Sequence, residues 1–333
     1  MSREFVVAHV VPTGLRASVG GYVGDATPPT NKMAEVCDKV IVHPNVVNGV
    51  MLNCAKENVL YVEGYHLDRF FLGETALREV KQNRIGVVLD HVDERHYNFG
   101  VNQVNAVKAN KGIKVTGIVR TREKIKDSVF RSKTGAYIGK IGNPEVIFEA
   151  CHALLAEGAD ALCLSAKINV SHKIMAEYFR GRIPNPYGGL EAILSHAVSK
   201  KFGVACAHAP LQLYSQRLHD FGIVDWRGAA EVVSTAYLGC VLQGLDRAPR
   251  PVPVKRAKPS DWRIGDLAAL VCPHNALGGI PMLACEERGI PVLAVKENST
   301  ILRVTKERLG LKNVVKVKSY DETVKLLKKM RRR

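Results

Sequence analysis

A chain of 333 residues with 46% hydrophobic and 24% charged side chains can bury a sizeable core, which excludes disordered and fibrous classes. Its net charge of +16 gives a positive field suited to phosphates, anionic metabolites and nucleic acid, and no apolar run approaches the ~20 residues that cross a bilayer. The first residues, Met-Ser-Arg-Glu-Phe-Val-Val-Ala-His-Val-Val, lack a long apolar region and a small-residue cleavage site, so the expected location is the cytoplasm, with no membrane partner.

Along the chain, short β-branched runs end in polar or glycine clusters, at Phe5–Val11, Val40–His43, Leu60–Glu63, Ile85–His91, Lys114–Arg120, Ala161–Lys167, Val204–His208, Leu267–Cys272 and Val292–Glu297. Runs such as Ile85-Gly-Val-Val-Leu89 are apolar on both faces, as buried parallel strands are. Helical patterns intervene at Asn143–Gly158, Gly189–Phe202, Arg227–Gly244, Gly279–Gly289 and Tyr320–Met330. Asn143-Pro144 reads as a capping residue followed by proline at the first helical position, and Gly158 and Gly289 suit helix ends that need a left-handed residue. The alternation predicts an α/β fold with a mostly parallel, doubly wound, Rossmann-like sheet and helices on both faces. The proline-rich, basic stretch 246–262 reads as a connector between a main region, 1–245, and a C-terminal α/β part, 263–333.

The eight cysteines contain no C-x-x-C pair, so no zinc ribbon or thioredoxin-like motif is supported. Cys163, Cys206 and Cys272 on strands and Cys37, Cys151 and Cys240 on helices read as buried thiols. Intracellular disulfides of the kind hyperthermophiles use remain a second reading.

In open parallel sheets, ligands bind beyond the carboxyl ends of the strands, and the sequence places polar residues there repeatedly. After the first strand, Thr13, Gly14, Ser18, Gly20, Gly21, Gly24 and Asp25 form a glycine-rich loop whose backbone N–H groups suit an anion, though its spacing matches neither the Walker loop nor the dinucleotide fingerprint. His43, Asn45 and Asn48 follow the second strand and Glu63 the third, as proton-transfer or orienting groups or as turn and cap residues. A second glycine-rich stretch, with Gly135 and Gly139, precedes the Asn143 helix and reads as a phosphate or carboxylate cradle or as an ordinary loop.

Gly188 and Gly189 open a helix that carries Glu191 in its first turn, and the following strand ends at His208. Glu191 with His208 reads as an acid/base pair, or as two ligands of a metal, against a structural histidine and a helix-stabilising carboxylate. Cys272 would be a nucleophile only with a lowered pKa. Asn275, Gly278, Gly279, Asn298 and Thr300 follow the last two core strands and read as binding groups.

Val11-Pro-Thr-Gly14 with Gly20-Gly-Tyr-Val-Gly-Asp25, His43-Pro-Asn-Val-Val-Asn-Gly49, Tyr61-Val-Glu-Gly-Tyr65, Gly188-Gly-Leu-Glu-Ala-Ile-Leu-Ser-His196, Ala207-His-Ala-Pro210 and Asn275-Ala-Leu-Gly-Gly279 together resemble the family catalogued as domain of unknown function 3326. The resemblance implies one recurring architecture built around these loops and no particular reaction. Where the family tends to carry Asp-Pro, this chain has Asn185-Pro186, which argues against an acid role there.

The functional expectation is a cytoplasmic enzyme that moves protons on a small anionic or amide-rich metabolite, as an isomerase, lyase or hydrolase. Glu191, His208 and His43 would carry the protons, and a two-base racemase or isomerase is one form of this. No nicotinamide, flavin or iron–sulfur signature is present; the cofactor stays open and no metal site is assigned. The rivals are a nucleic-acid or ribosome-associated binder using Arg247–Arg263 and the basic tail and a non-catalytic metabolite sensor. An oligomer is compatible with either.

Overall fold

A computed structural model describes residues 4–12, 15–20, 25–47, 55–133, 135–211, 222–225, 227, 229 and 237–332. The fold is α/β, with one six-stranded and one four-stranded parallel sheet. The chain divides into two compact units: residues 1–47, 54–79 and 249–333 form the first, and residues 48–53 and 80–248 the second. The second is therefore inserted within the first, which differs from the expected division after residue 245. Stretch 246–262, expected as a bare connector, contains a short strand.

The first unit comprises β1 (Val6–His9), α1 (Thr27–Ala34), β2 (Lys39–Val42), α2 (Pro44–Val47), β3 (Val59–Tyr61), α3 (Gly64–Phe71) and β4 (Thr75–Arg78). The second comprises β5 (Arg84–Leu89), α4 (Glu94–Lys111), β6 (Lys114–Arg120), β7 (Asp127–Arg131), β8 (Tyr137–Ile141), α5 (Glu145–Ala156), β9 (Ala161–Ala166), α6 (His172–Phe179), α7 (Gly188–Phe202), β10 (Ala205–Pro210) and α8 (Tyr237–Asp246). The chain then returns to the first unit with β11 (Arg250–Pro253), β12 (Leu267–Pro273), α9 (Ile280–Glu287), β13 (Val292–Val295), α10 (Lys306–Leu309), β14 (Val314–Val317) and α11 (Tyr320–Arg331).

In the first unit the sheet order is β14-β13-β12-β1-β2-β3. Numbered within the sheet this is 3-2-1-4-5-6, the doubly wound order whose reversal lies between its first and fourth strands, here β1 and β12. The glycine-rich loop leaves β1 at that point. Leu60, Leu67, Phe70, Phe71, Leu270 and Val292 are among the residues that close its core, and burying each such side chain stabilises the unit by roughly 1.5–3 kcal/mol. β11 pairs antiparallel with β4, where its prolines cost little because the sheet has only two strands.

In the second unit the order is β10-β9-β5-β6, with its reversal between β5 and β9. Leu162, Leu164 and Cys206 pack on α5 and α7, while α4 packs on α8. Strand alternation turns Leu89 away from Val88; Val88 belongs to the α5/α7 core and Leu89 lies under Gly100 of α4. α4 therefore covers the face opposite α5 and α7. Its buried stripe is only Gly100, Gln103, Val104 and Val107, so a polar helix of 18 residues carried too little apolar signal to be read in advance.

Asn143 does not cap α5: its amide accepts from Lys126 N at 2.7 Å and donates to the Lys124 carbonyl at 3.0 Å, anchoring the preceding loop instead. Pro144 takes the cap position. Gly158 and Gly289 do have positive φ beyond the ends of α5 and α9, as expected.

Candidate functional site

The clearest assembly of predicted residues lies in the second unit, at the carboxyl edge of the four-stranded sheet. Asn185 accepts from Tyr187 N at 2.8 Å and Gly188 N at 3.2 Å, so it starts α7, a task an aspartate at this position would also perform. Gly189 then packs against the Tyr137 carbonyl of β8 so closely that a Cβ would collide with it. This close approach places Glu191, buried at 7% exposure, and Ser195 one turn later on the buried side of α7. Ser195 Oγ lies 2.8 Å from His208 Nδ1. The sequence paired Glu191 with His208; the structure adds the hydroxyl that holds the imidazole.

Two proton arrangements fit that contact. Either the hydroxyl donates to Nδ1, or Nδ1–H donates to Oγ while the hydroxyl turns to the Ala192 or Glu191 carbonyls, 3.3 and 3.4 Å away, the usual back-bonding of a helical serine. In the first, imidazole would activate Ser195 as a nucleophile, but Ser195 is only 1% exposed. In the second, Ser195 sets the His208 tautomer, with the proton on Nδ1. His196 faces away from Glu191, and burial pushes its imidazole pKa down.

The expected second glycine-rich loop is instead the β7–β8 hairpin. Gly139 pairs with Val129, and a Cβ there would strike Leu190 and the Ser128 carbonyl; Gly135 makes the turn with φ 89°. Gly139 and Gly189 thus serve close packing between hairpin and helix, and Gly135 serves the turn.

In the first unit, several expected binding groups are occupied by structure. Asn275 donates to the Thr300 and Leu302 carbonyls, both at 2.9 Å, and accepts from the Thr300 N–H at 2.8 Å and hydroxyl at 3.1 Å. All four of its amide positions are thereby used, and the Thr300 hydroxyl also accepts from Leu302 N. Asn298, fully buried, accepts from Val19 N at 3.1 Å and donates to Val19 O and Tyr320 Oη, both at 2.8 Å. Ser18 bonds Ser299. The near end of the glycine-rich loop, with Gly20 in a left-handed turn (φ 77°), is thus stitched to the loop after β13.

Gly278 rests on Val304 and Gly279 precedes α9. Glu63 is the N-cap of α3, accepting from Tyr65 N and His66 N at 2.8 and 3.0 Å. His43 stands at the start of α2, its carbonyl accepting from Val46 N, and Asp25 precedes α1. Thr13, Gly14, Gly21, Gly24, Asn48 and the Asn45 side chain lie outside the described residues.

Cys272 is not a nucleophile. It is fully buried in the first unit's core, and that burial pushes its thiol pKa up rather than down. Cys37, Cys151, Cys240 and Cys285 are pushed to about 12 for the same reason. The seven cysteines among the described residues are buried and free, so no disulfide joins them.

The sequence reading missed His9, the last residue of β1. It is fully buried, with Nδ1 3.0 Å from Thr30 Oγ1 and Nε2 3.0 Å from Tyr320 Oη. Thr30 donates to the Ala26 carbonyl at 2.7 Å, so it accepts from His9 Nδ1–H, and Tyr320 donates to Nε2. Burial holds this imidazole neutral, its pKa lowered to about 3. Also missed were Asp90, Asp93, His96 and Lys167 at the β5/β9 reversal. Their only sequence signal is that they follow strand ends.

The chain is 36% identical to an uncharacterised lipoprotein of Synechococcus sp. over 292 residues, covering 87% of this chain and 80% of that protein. A relative so named overturns the expectation of a cytoplasmic protein. No helix among the described residues is long and apolar enough to cross a membrane. The family described as a protein of unknown function, DUF3326, matches residues 6–333, and the chain belongs to that family.

Proposed function

We propose that this protein is an enzyme that moves protons on a small anionic or amide-rich metabolite at the carboxyl edge of its four-stranded sheet, in the manner of an isomerase, lyase or hydrolase. The observation that carries this reading is the 2.8 Å contact between Ser195 Oγ and His208 Nδ1, one helical turn from the buried Glu191 carboxyl. A base needs a fixed tautomer and a partner able to return the proton, and these three residues supply both. The net charge of +16 draws anionic substrates toward the surface.

The test has two parts. Long-range proton–nitrogen NMR of His208 is expected to show the proton on Nδ1 and a mixed tautomer in Ser195→Ala. Incubation with a small-metabolite cell extract, followed by mass spectrometry, is expected to show turnover that His208→Gln and Glu191→Gln abolish. Full turnover in both variants removes these residues from the chemistry.

A second reading draws on α11. Lys325, Lys328, Lys329 and Arg332 are exposed and, at spacings of three, four and seven, form one stripe opposite buried Leu327. Such a stripe suits nucleic acid, and the relative's lipoprotein name, carried to this chain, adds an anionic membrane surface. Binding to RNA or anionic vesicles that falls steeply with salt and vanishes on removal of residues 325–333 supports this reading; binding indifferent to the truncation discards it.

A further inference from the structure

Open parallel sheets form their ligand crevices where the strand order reverses, and in the second unit that point lies between β5 and β9. Beyond these two strand ends stand Asp90, Asp93 and Lys167. Asp90 is fully buried and accepts from Ile125 N at 2.8 Å and Lys167 N at 3.2 Å, while its own N–H reaches the Ser165 carbonyl at 2.9 Å. The segment after β9 is thereby tied to the end of β5. This sets Lys167 Nζ 3.6 Å from Asp93 Oδ2, and the same carboxylate lies 2.7 Å from His96 Nδ1.

The carboxylate only accepts, so in the neutral imidazole Nδ1 carries the proton and Nε2 the lone pair. Capping α4 requires no more than the His96 backbone N–H, which donates to Asp93 Oδ1 at 3.1 Å; the imidazole contact is additional. That contact is the chief cause holding the Asp93 carboxyl well below the usual range, which keeps it an acceptor. Among the described residues neither His96 Nε2 nor the Lys167 ammonium makes a hydrogen bond, and the Lys167 side chain is 33% exposed.

We infer that Asp93, His96 and Lys167 form a second proton-transfer site, for a small carbonyl compound that carries a negative charge. His96 Nε2 takes a proton from the carbon beside the carbonyl. The C–H electron pair becomes the C=C bond of an enolate and the carbonyl π pair moves onto oxygen, where the Lys167 ammonium stabilises the charge; the reverse step returns the proton. Asp93 is a positioning residue that fixes the imidazole tautomer. The α4 helix covers the sheet face opposite α7, so His96 belongs to an element on the face opposite the helix whose Ser195 contacts His208. Strands β5 and β10 are two spacings apart, roughly 10 Å, and a two-base isomerase would use His208 as the partner of His96. The two-base form, and not the His96 site itself, rests on the proton-transfer reading of His208.

Pyruvate in deuterium oxide is the probe, being a small carbonyl compound with a carboxylate. Saturable amide shifts are expected at Asp93, His96 and Lys167, together with protein-dependent deuterium entry into the pyruvate methyl group. Lys167→Met is expected to weaken binding about tenfold. His96→Gln is expected to retain binding and lose deuterium entry, and Asp93→Asn to mix the His96 tautomers. A variant with the exposed Lys81, Lys312 and Lys318 all changed to Glu is expected to behave as the wild type, which separates the site from general charge. Shifts that do not saturate, shifts that survive Lys167→Met, or undiminished exchange in His96→Gln each overturn the inference. Exchange lost in His208→Gln but kept in His96→Gln sinks this site and leaves the His208 reading standing; loss in His96→Gln alone does the reverse.

Discussion

Replacing Asn298 by alanine tests whether the loop after β13 owes its shape to one buried amide. The change removes three hydrogen bonds, two to the Val19 backbone and one to Tyr320 Oη. Val19 is half-buried, so water recovers much of its loss and each backbone group costs about 0.5–1 kcal/mol. Tyr320 Oη keeps its donation to His9 but loses its donor inside a dry core, at about 1–2 kcal/mol. The total is about 3 kcal/mol, a large part of the ~5–15 kcal/mol that holds a typical domain together. Asn298→Asp should be worse, because its carboxylate would face the Val19 carbonyl and Tyr320 without a proton to offer. Urea unfolding followed by Trp262 fluorescence, in a Trp226→Phe background, reports on the first unit, where Trp262 is buried. A loss below about 0.5 kcal/mol in Asn298→Ala would refute the account, since no buried network of this kind tolerates losing its central member so cheaply.

Acid should weaken the first unit through His9. Its folded pKa of about 3 lies below the unfolded value near 6.5, so the unfolded chain binds more protons between those limits and stability falls as pH falls through them. The cost is about 1.4 kcal/mol per pH unit, or ~2 kcal/mol from pH 6.5 to 5; His9→Gln should flatten that slope, and an unchanged slope in the variant contradicts it. Gly189→Ala should disrupt α7 against the β7–β8 hairpin, because the new methyl meets the Tyr137 carbonyl, costing at least ~1–3 kcal/mol; a melting temperature within a degree of wild type would show that the helix start is free to shift. In the folded state, the seven cysteines among the described residues should resist iodoacetamide at pH 8, being buried and free with Cys272 pushed up by burial. Rapid labelling of Cys272 before unfolding would restore it as a reactive thiol.

Hydrophobic patterning was sufficient to read nine of the ten parallel strands and α7, because a strand buried on both faces and a helix with a broad apolar side both leave a trace; β14, with only its first and last residues buried, escaped it. The same reasoning placed Glu191 and His208 at strand and helix ends. α4 escaped it, since only four of its residues are buried, and the β7–β8 hairpin escaped because glycines fitted for close packing look like those of an anion loop. The insertion of the second unit could not be read at all: strands β1 and β12 pair across more than 250 residues, and local sequence holds no record of so distant a partner. Polar chemistry shows the same limit. Asn275, Asn298 and Glu63 have the composition of binding groups, yet tertiary contacts consume their hydrogen-bonding capacity in loops and caps. Asp93, His96 and Lys167 are unremarkable as letters, and only the reversal between β5 and β9 sets them side by side. The sequence determined which segments become strands and helices, because that depends on neighbours within a turn or two. Which polar atoms remain free to act on a ligand was decided by packing, because it depends on what each atom meets from elsewhere in the chain.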